Sequence, residues 1–260
     1  MPDPRALLEL AVVAAEDAAQ LLRTSRPDPD AIRTKSSGSD LVTDLDRAAE
    51  ARIVDHLIAA RPDDGVLGEE GGERAGRSGV RWVIDPLDGT TNYVYDYPAY
   101  GVSIAAEADG QVVAGVVVDV VRGERFTAAI GHGAHRDGRR LQVSTEDALA
   151  AALIGTGFSY DAPTRGRQAA GLTTVLPAVR DIRRSGSAAL DLCAVAAGRL
   201  DGFWERGLSP WDRAAGGLIA AEAGAQVGRL GTAEPLTLLA APPALYGALE
   251  GLLEAAGAAF

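Results

Sequence analysis

At 260 residues the chain can bury a sizeable core, and 47% hydrophobic against 23% charged residues is the balance of an ordinary soluble globule. A net charge of −11 argues against a general nucleic-acid or anionic-membrane binder, because holding a phosphate backbone takes concentrated positive charge. Cys193 is the only cysteine, which excludes an intramolecular disulfide, and its apolar neighbours Leu190 to Val195 predict a buried, inert thiol.

Glu9, Glu16 and Asp17 interrupt the first apolar stretch, so it does not read as a signal peptide, and no segment approaches the ~20 apolar residues of a membrane helix. A cytoplasmic protein is expected. Leu8, Val12, Ala15, Ala19 and Leu22 define one face of a first helix ending before Pro27. A mobile Ser/Gly loop over 34–42 follows. Thr43 then reads as an N-cap, with Asp46 three residues on, for a helix whose inner face carries Leu45, Ala49, Ile53 and Leu57. Pro62-Asp63-Asp64-Gly65 stops that helix, a short strand leads to Glu69-Glu70, and a polar loop runs to residue 79.

From Arg81 the pattern turns to strands. Val102–Ala108, Val112–Val121 and Arg125–Ala129, separated by Asp109-Gly110 and Arg122-Gly123, predict an antiparallel meander, with another hairpin over His132–Arg140. Helices near 164–177, 188–197, 211–223 and 243–256 then alternate with strands. Sheets between helix layers are the natural packing for this α+β mixture. A single domain over 1–260 is expected, its halves (about 1–145 and 146–260) packed together.

The most informative stretch is Trp82-Val83-Ile84-Asp85-Pro86-Leu87-Asp88-Gly89-Thr90-Thr91-Asn92-Tyr93. An apolar run ends in two aspartates, hard oxygen ligands of the kind Mg²⁺ wants. Gly89 admits a close ligand, and Thr90-Thr91 read as a helix opening whose free N–H groups attract anions. Alone, Asp-Pro-x-Asp-Gly is also simply a good turn. Read as a site, it joins metal, phosphate and hydroxyl, which suggests metal-assisted phosphoryl transfer to water.

Residues 82–93 resemble the signature of the Mg²⁺-dependent, Li⁺-sensitive inositol monophosphatases throughout. Lys35 to Asp44, Leu67-Gly68-Glu69-Glu70, Arg184 to Leu190 and Pro210-Trp211-Asp212 follow in that family's order, so the similarity spans nearly the whole chain. The resemblance implies an alternating α-β-α-β-α sandwich, usually a homodimer, and a small phosphorylated polyol as substrate; the acidic balance adds the expectation of no nucleic-acid or membrane partner. It assigns Glu69, Asp85, Asp88, Asp212 and the Leu87 carbonyl to two or three Mg²⁺ ions. Glu69, Thr90 and Asp44 would position the attacking water. The Asp88-Gly89-Thr90-Thr91 turn and Gly186-Ser187-Ala188 would hold the phosphate, and Glu205 with Asp212 would meet a sugar or inositol hydroxyl. Lys35 would neutralise the carboxylates.

Each assignment has a plainer counterpart: Glu69-Glu70 as a solvated acidic loop, Thr90 as a cap, Asp44 and Asp212 as first-turn acids, and Lys35 as a surface lysine. His56, His132 and His135 read as uninvolved. Histidinol phosphate, fructose 1,6-bisphosphate and 3′-phosphoadenosine 5′-phosphate are rival substrates within the same chemistry, and a regulatory binding protein is the non-enzymatic alternative. Ala225 to Gly231 departs from the family pattern, being shorter and lacking an acid, which questions the late strand pair.

Overall fold

The computed structural model describes residues 2–25, 33–34, 41–232 and 234–257. Helix α1 (Pro4–Thr24) starts where the Asp3 side chain accepts the N–H of Arg5 at 3.0 Å. It buries Leu7, Ala11, Ala14, Ala15, Ala18, Ala19 and Leu22. Leu8 and Val12, expected inside, are only partly buried, because the alanines form the contact seam and these larger side chains flank it. Strands β1 (Arg33–Thr34) and β2 (Leu41–Val42) pair antiparallel; Lys35 and most of the expected loop lie outside the described residues. Helix α2 (Asp44–Ala60) opens with the expected capping box, the Thr43 N–H donating to Asp46 Oδ2 at 2.8 Å.

The next strands, β3 (Gly65–Gly68), β4 (Gly72–Arg74) and β5 (Val80–Asp88), lead to helix α3 (Thr90–Val94). The meander follows as β6 (Gly101–Ala108), β7 (Gln111–Asp119) and β8 (Arg125–Ala129), then β9 (Ala134–Arg136) and β10 (Arg139–Arg140). Together β3 to β10 form an eight-stranded sheet, order β10-β9-β8-β7-β6-β5-β3-β4, antiparallel except between β3 and β5. Exposed β4 at its edge was hidden by its polar composition, which reads as loop.

The remaining chain supplies β11 (Leu153–Thr156), α4 (Ala162–Val175), β12 (Asp181–Arg183), α5 (Ala188–Ala196), β13 (Gly202–Arg206), α6 (Pro210–Glu222), β14 (Gln226–Leu230), β15 (Thr237–Ala241) and α7 (Pro243–Ala255). Its strands form a five-stranded sheet in the order β12-β11-β13-β15-β14. The late pair β14–β15 runs in regular register from Gln226↔Ala241 to Leu230↔Thr237, so the departure at 225–231 leaves it intact.

Strand alternation sorts the core. Trp82 and Ile84 face α1 and α2, whereas Val83, Ala105 and Val117 face α5 and α6. Helix α5 is apolar all round because it lies between sheets, with Ala189 and Cys193 against the larger one and Leu192 and Val195 against the smaller. Val175 of α4 and Leu245 and Leu249 of α7 cover the outer face of the smaller sheet. The result is the expected α-β-α-β-α layering. Cys193 is fully buried, and burial pushes its thiol well above the ordinary range. Among the described residues no helix is long and apolar enough to cross a membrane.

Candidate active site

The parallel pairing of β3 with β5 ends where β3 ends, four residues before the end of β5. Gly68 lies opposite Ile84, and the Glu69 N–H extends the pairing by donating to the Ile84 carbonyl at 3.2 Å, which puts Glu69 beside Asp85. Regular alternation would send Asp85 and Asp88 to opposite faces. Between them the ladder to β6 slips, from Asp85↔Ser103 to Asp88↔Gly101, and the extra residue lets both aspartates line one cleft. Asp85 Oδ1 accepts the Leu87 N–H at 3.0 Å, tightening the turn. Gly89 then takes φ 102°, and a Cβ there would sit 2.9 Å from the Ala99 carbonyl, so only glycine can open α3 at this point.

The opposite wall is built from the α5 and α6 ends. Ser187 caps α5 and donates its hydroxyl to Asp88 Oδ2 at 2.6 Å, while the Ala189 N–H donates to the same oxygen at 2.7 Å. Asn92 of α3 donates to the Ser185 carbonyl at 2.9 Å and the Ala99 carbonyl at 2.6 Å, tying the walls together. Asp212 lies in the first turn of α6, where Oδ2 accepts the Ser209 N–H at 2.6 Å. Glu205, on β13, packs so tightly on Gly157 that a Cβ there would overlap its carboxylate.

These acids crowd one another. Burial first, then the charges of Glu69, Asp88 and Asp212, holds Asp85 well above the usual carboxylate range. Burial raises Asp88 to about 6, although hydrogen bonds from Ser187 and Ala189 oppose it. Burial and the Asp88 charge raise Asp212 to about 8, and burial with the Asp212 charge raises Glu205 to about 8. Arg184 is the one basic side chain among the described residues lining the cleft.

Glu69, Asp85, Leu87, Asp88, Gly89, Thr90, Gly186, Ala188, Glu205 and Asp212 all line this cleft, and Ser187 reaches it through Asp88. Thr91 does not line it; its hydroxyl is buried without a hydrogen-bond partner. Asp44 is the clear correction. Its side chain is 77% exposed and sits 3.5 Å from Arg47, away from Thr90. The carboxylate that Thr90 meets is Asp46, with Thr90 Oγ1 2.9 Å from Asp46 Oδ1 and 3.1 Å from the Leu87 carbonyl. At the third helical position Asp46 turns back over the helix start towards α3, whereas Asp44, at the first, points outward. The capping box was the available signal: it uses one Asp46 oxygen and leaves the other for Thr90. Arg184 and Asn92, which lie in matched segments but were given no role of their own, and Phe158 and Tyr160, which no motif marks, also belong to the site or its walls. His56 pairs with Asp17 at 3.3 Å, and no histidine lines the cleft.

The donor set suits a hard cation. Asp85 and Asp212 each commit one oxygen to a backbone N–H and keep another, and the rest of the set is oxygen as well. Among the described residues no three acids converge into a finished cage. What they share is repulsion in a buried cleft, which a divalent cation would relieve.

A model of the inositol monophosphatase family matches residues 3–257. The chain is 50% identical over 225 residues to an inositol-1-monophosphatase of Mycobacterium bovis, covering 82% of this chain and 78% of that one. It is 46% identical over 232 residues to the Nus factor SuhB of Pseudomonas aeruginosa, covering 85% and 84%. The crystal structure of the extragenic suppressor protein suhB from Bartonella henselae superposes with a TM-score of 0.90 at 39% identity, over 96% and 98% of the two chains. A carboxylate cleft at paired strand ends, in a five-layer fold shared with these proteins, makes the chain a phosphoric monoester hydrolase belonging to the inositol monophosphatase family.

Proposed function

We propose that this phosphatase hydrolyses inositol 1-phosphate or a similar small polyol phosphate, that it needs Mg²⁺, and that Li⁺ inhibits it. One observation carries the reading: Glu69, Asp85, Asp88 and Asp212 line a single cleft beside the Thr90–Asp46 pair, with Arg184 the one basic lining residue described. A phosphate dianion cannot enter such a cleft against those charges unless cations accompany it. The substrate class is that of the Mycobacterium bovis relative's name.

Bound at Glu69, Asp85, Asp88, Asp212 and the Leu87 carbonyl, two or three Mg²⁺ ions would supply charge neutralisation for the phosphate and activation of water. The chain does the positioning. Asp46 accepts the Thr90 hydroxyl proton, which leaves the Thr90 oxygen lone pairs free to accept from a water and aim it at phosphorus. Backbone N–H groups around Gly89-Thr90 and at Gly186 to Ala188 supply donors to the phosphate oxygens. Glu205 and Asp212 offer carboxylate acceptors to the hydroxyls of the departing alcohol. Phosphate release from inositol 1-phosphate, with Mg²⁺ and then with chelator, tests this; absence of release from folded, Mg²⁺-saturated protein would sink the substrate assignment. Li⁺ titration and the mass by light scattering test the inhibition and the homodimer, which we expect in the cytoplasm.

The likeness to a protein named Nus factor favours one second reading, a regulatory role beside catalysis. Salt-dependent RNA retention by the purified protein would support it, and failure to retain RNA would count against direct RNA binding.

A further inference from the structure

We propose that Glu50 is a positioning residue that sets the place of Glu69 in the site; this rests on the metal-site reading above. Glu50 lies on α2 one turn after Asp46, on the same buried face, and is itself only 5% exposed. Its Oε2 accepts the N–H of Glu70 at 2.9 Å and its Oε1 accepts the N–H of Gly71 at 2.5 Å. These amides belong to the tight turn between β3 and β4, whose closing pair is Gly68↔Gly72, and Glu69 is the first residue of that turn.

The fit is close on both sides. A Cβ on Gly68 would come within 2.5 Å of Glu50 Oε2, and one on Gly71 within 2.5 Å of Oε1. A side chain at either position would have to displace the Glu50 carboxylate from the turn. Besides this clasp, the turn is held by its ladder to the exposed edge strand β4 and by the Glu69 N–H on the Ile84 carbonyl, so Glu50 is the one side chain among the described residues shown gripping the two amides after Glu69. Helix α2 therefore holds two parts of the site from one rigid element. Asp46 sets Thr90, and Glu50, four residues on, sets Glu69. Their separation is fixed by a single turn of helix, so the water-positioning hydroxyl and the metal-binding carboxylate keep register with each other.

The test is Glu50→Gln in the full chain. The amide keeps the side chain's shape but presents an N–H₂ to one backbone N–H, so the two-oxygen clasp is lost. Mg²⁺ affinity by calorimetry should fall by about 10- to 100-fold, the usual cost of losing a partner that orients a ligand. The KM for substrate and kcat at saturating Mg²⁺ should change far less, and amide exchange at Glu70 and Gly71 should accelerate. Gly71→Ala, which presses on Glu50 Oε1 while leaving the sequence of α2 unchanged, should reproduce the loss and decides the matter if Glu50→Gln does not fold. Mg²⁺ affinity equal to that of the wild type in a folded variant overturns the proposal. If the wild type itself binds no Mg²⁺, the metal reading fails separately, and unchanged exchange at the two amides would then overturn the role of Glu50 in fixing the turn.

Discussion

The Thr90 hydroxyl donates to Asp46 Oδ1 at 2.9 Å across 44 residues of sequence, while Asp44, two residues away from Asp46, faces solvent. Two carboxylates in one helical turn thus have opposite fates. We expect Asp46→Ala to lower kcat by about 10²- to 10⁴-fold, the range for losing a group that manages a proton in the transition state. Asp44→Ala should leave kcat unchanged. Comparable losses in both would mean that the pair is not what orients the water.

Asp88 accepts from Ser187 and Ala189 while carrying a charge that burial disfavours. Asp88→Asn keeps the shape and removes the charge. Turnover should drop about 10³-fold, comparable to losing a key electrostatic group. Thermal stability in chelator should not fall, because the buried charge is gone. A folded Asp88→Asn protein with wild-type turnover would falsify the ligand assignment.

Repulsion among Asp85, Asp88, Asp212 and Glu69 would make a bound metal a stabilising ligand of the fold. At 100 times its dissociation constant, Mg²⁺ should add about 2.7 kcal/mol by mass action. For a chain of this size that is a rise of several degrees in Tm, reversed by chelator. Calorimetric scans with and without Mg²⁺ check it, and a Tm indifferent to Mg²⁺ would argue against metal binding here.

Asp191 is buried on α5, and burial raises its carboxyl from 3.8 to about 7. A carboxyl that ionises less readily in the fold than in the unfolded chain contributes stability that is full below pH 3.8 and is lost as pH climbs through about 7. Wild-type protein should therefore lose stability relative to Asp191→Asn across that window, with the difference constant above it. The full shift corresponds to roughly 4 kcal/mol at most. Denaturant titrations at a series of pH values give the answer; parallel curves would clear Asp191.

Asp64, 1% exposed, accepts from Arg61 at 2.5 and 3.0 Å, from Ser78 at 2.6 Å and from the Trp82 indole at 3.0 Å. It locks the end of α2 to the start of β5. Asp64→Ala should cost about 3 kcal/mol, since it strands buried donors around a partly buried guanidinium. Urea unfolding measures the loss, and a shift within error would show the cluster to be dispensable.

Local chemistry made much of this protein legible. The sequence marks helices near 164–177 and 243–256, found at Ala162–Val175 and Pro243–Ala255, and Asp109-Gly110 and Arg122-Gly123 mark the meander turns, because these preferences act within a few residues. The segments of the proposed metal site are legible for the same reason: each is a short run at the end of a strand or the start of a helix. The α1 seam shows where this stops. Leu8 and Val12 satisfy the helical period as well as Leu7 and Ala11 do, and only the sheet beneath decides which line it accepts.

The same limit applies at the site. Residue types and their order by themselves put Asp85 and Asp88 beside a glycine-threonine turn, Glu69 after a short strand and Asp212 at a helix start, whereas Glu205 was marked by the family resemblance alone. Tertiary structure alone decided that Asp46 and not Asp44 meets Thr90, that Glu50 clasps the turn behind Glu69, and that Arg184 enters a cleft of acids. Those are contacts between elements far apart in the chain. They depend on how α2 lies across the sheet, and that is set by the packing of Ala49, Ile53 and Leu57 against α1 and β5 rather than by any preference local to the carboxylates.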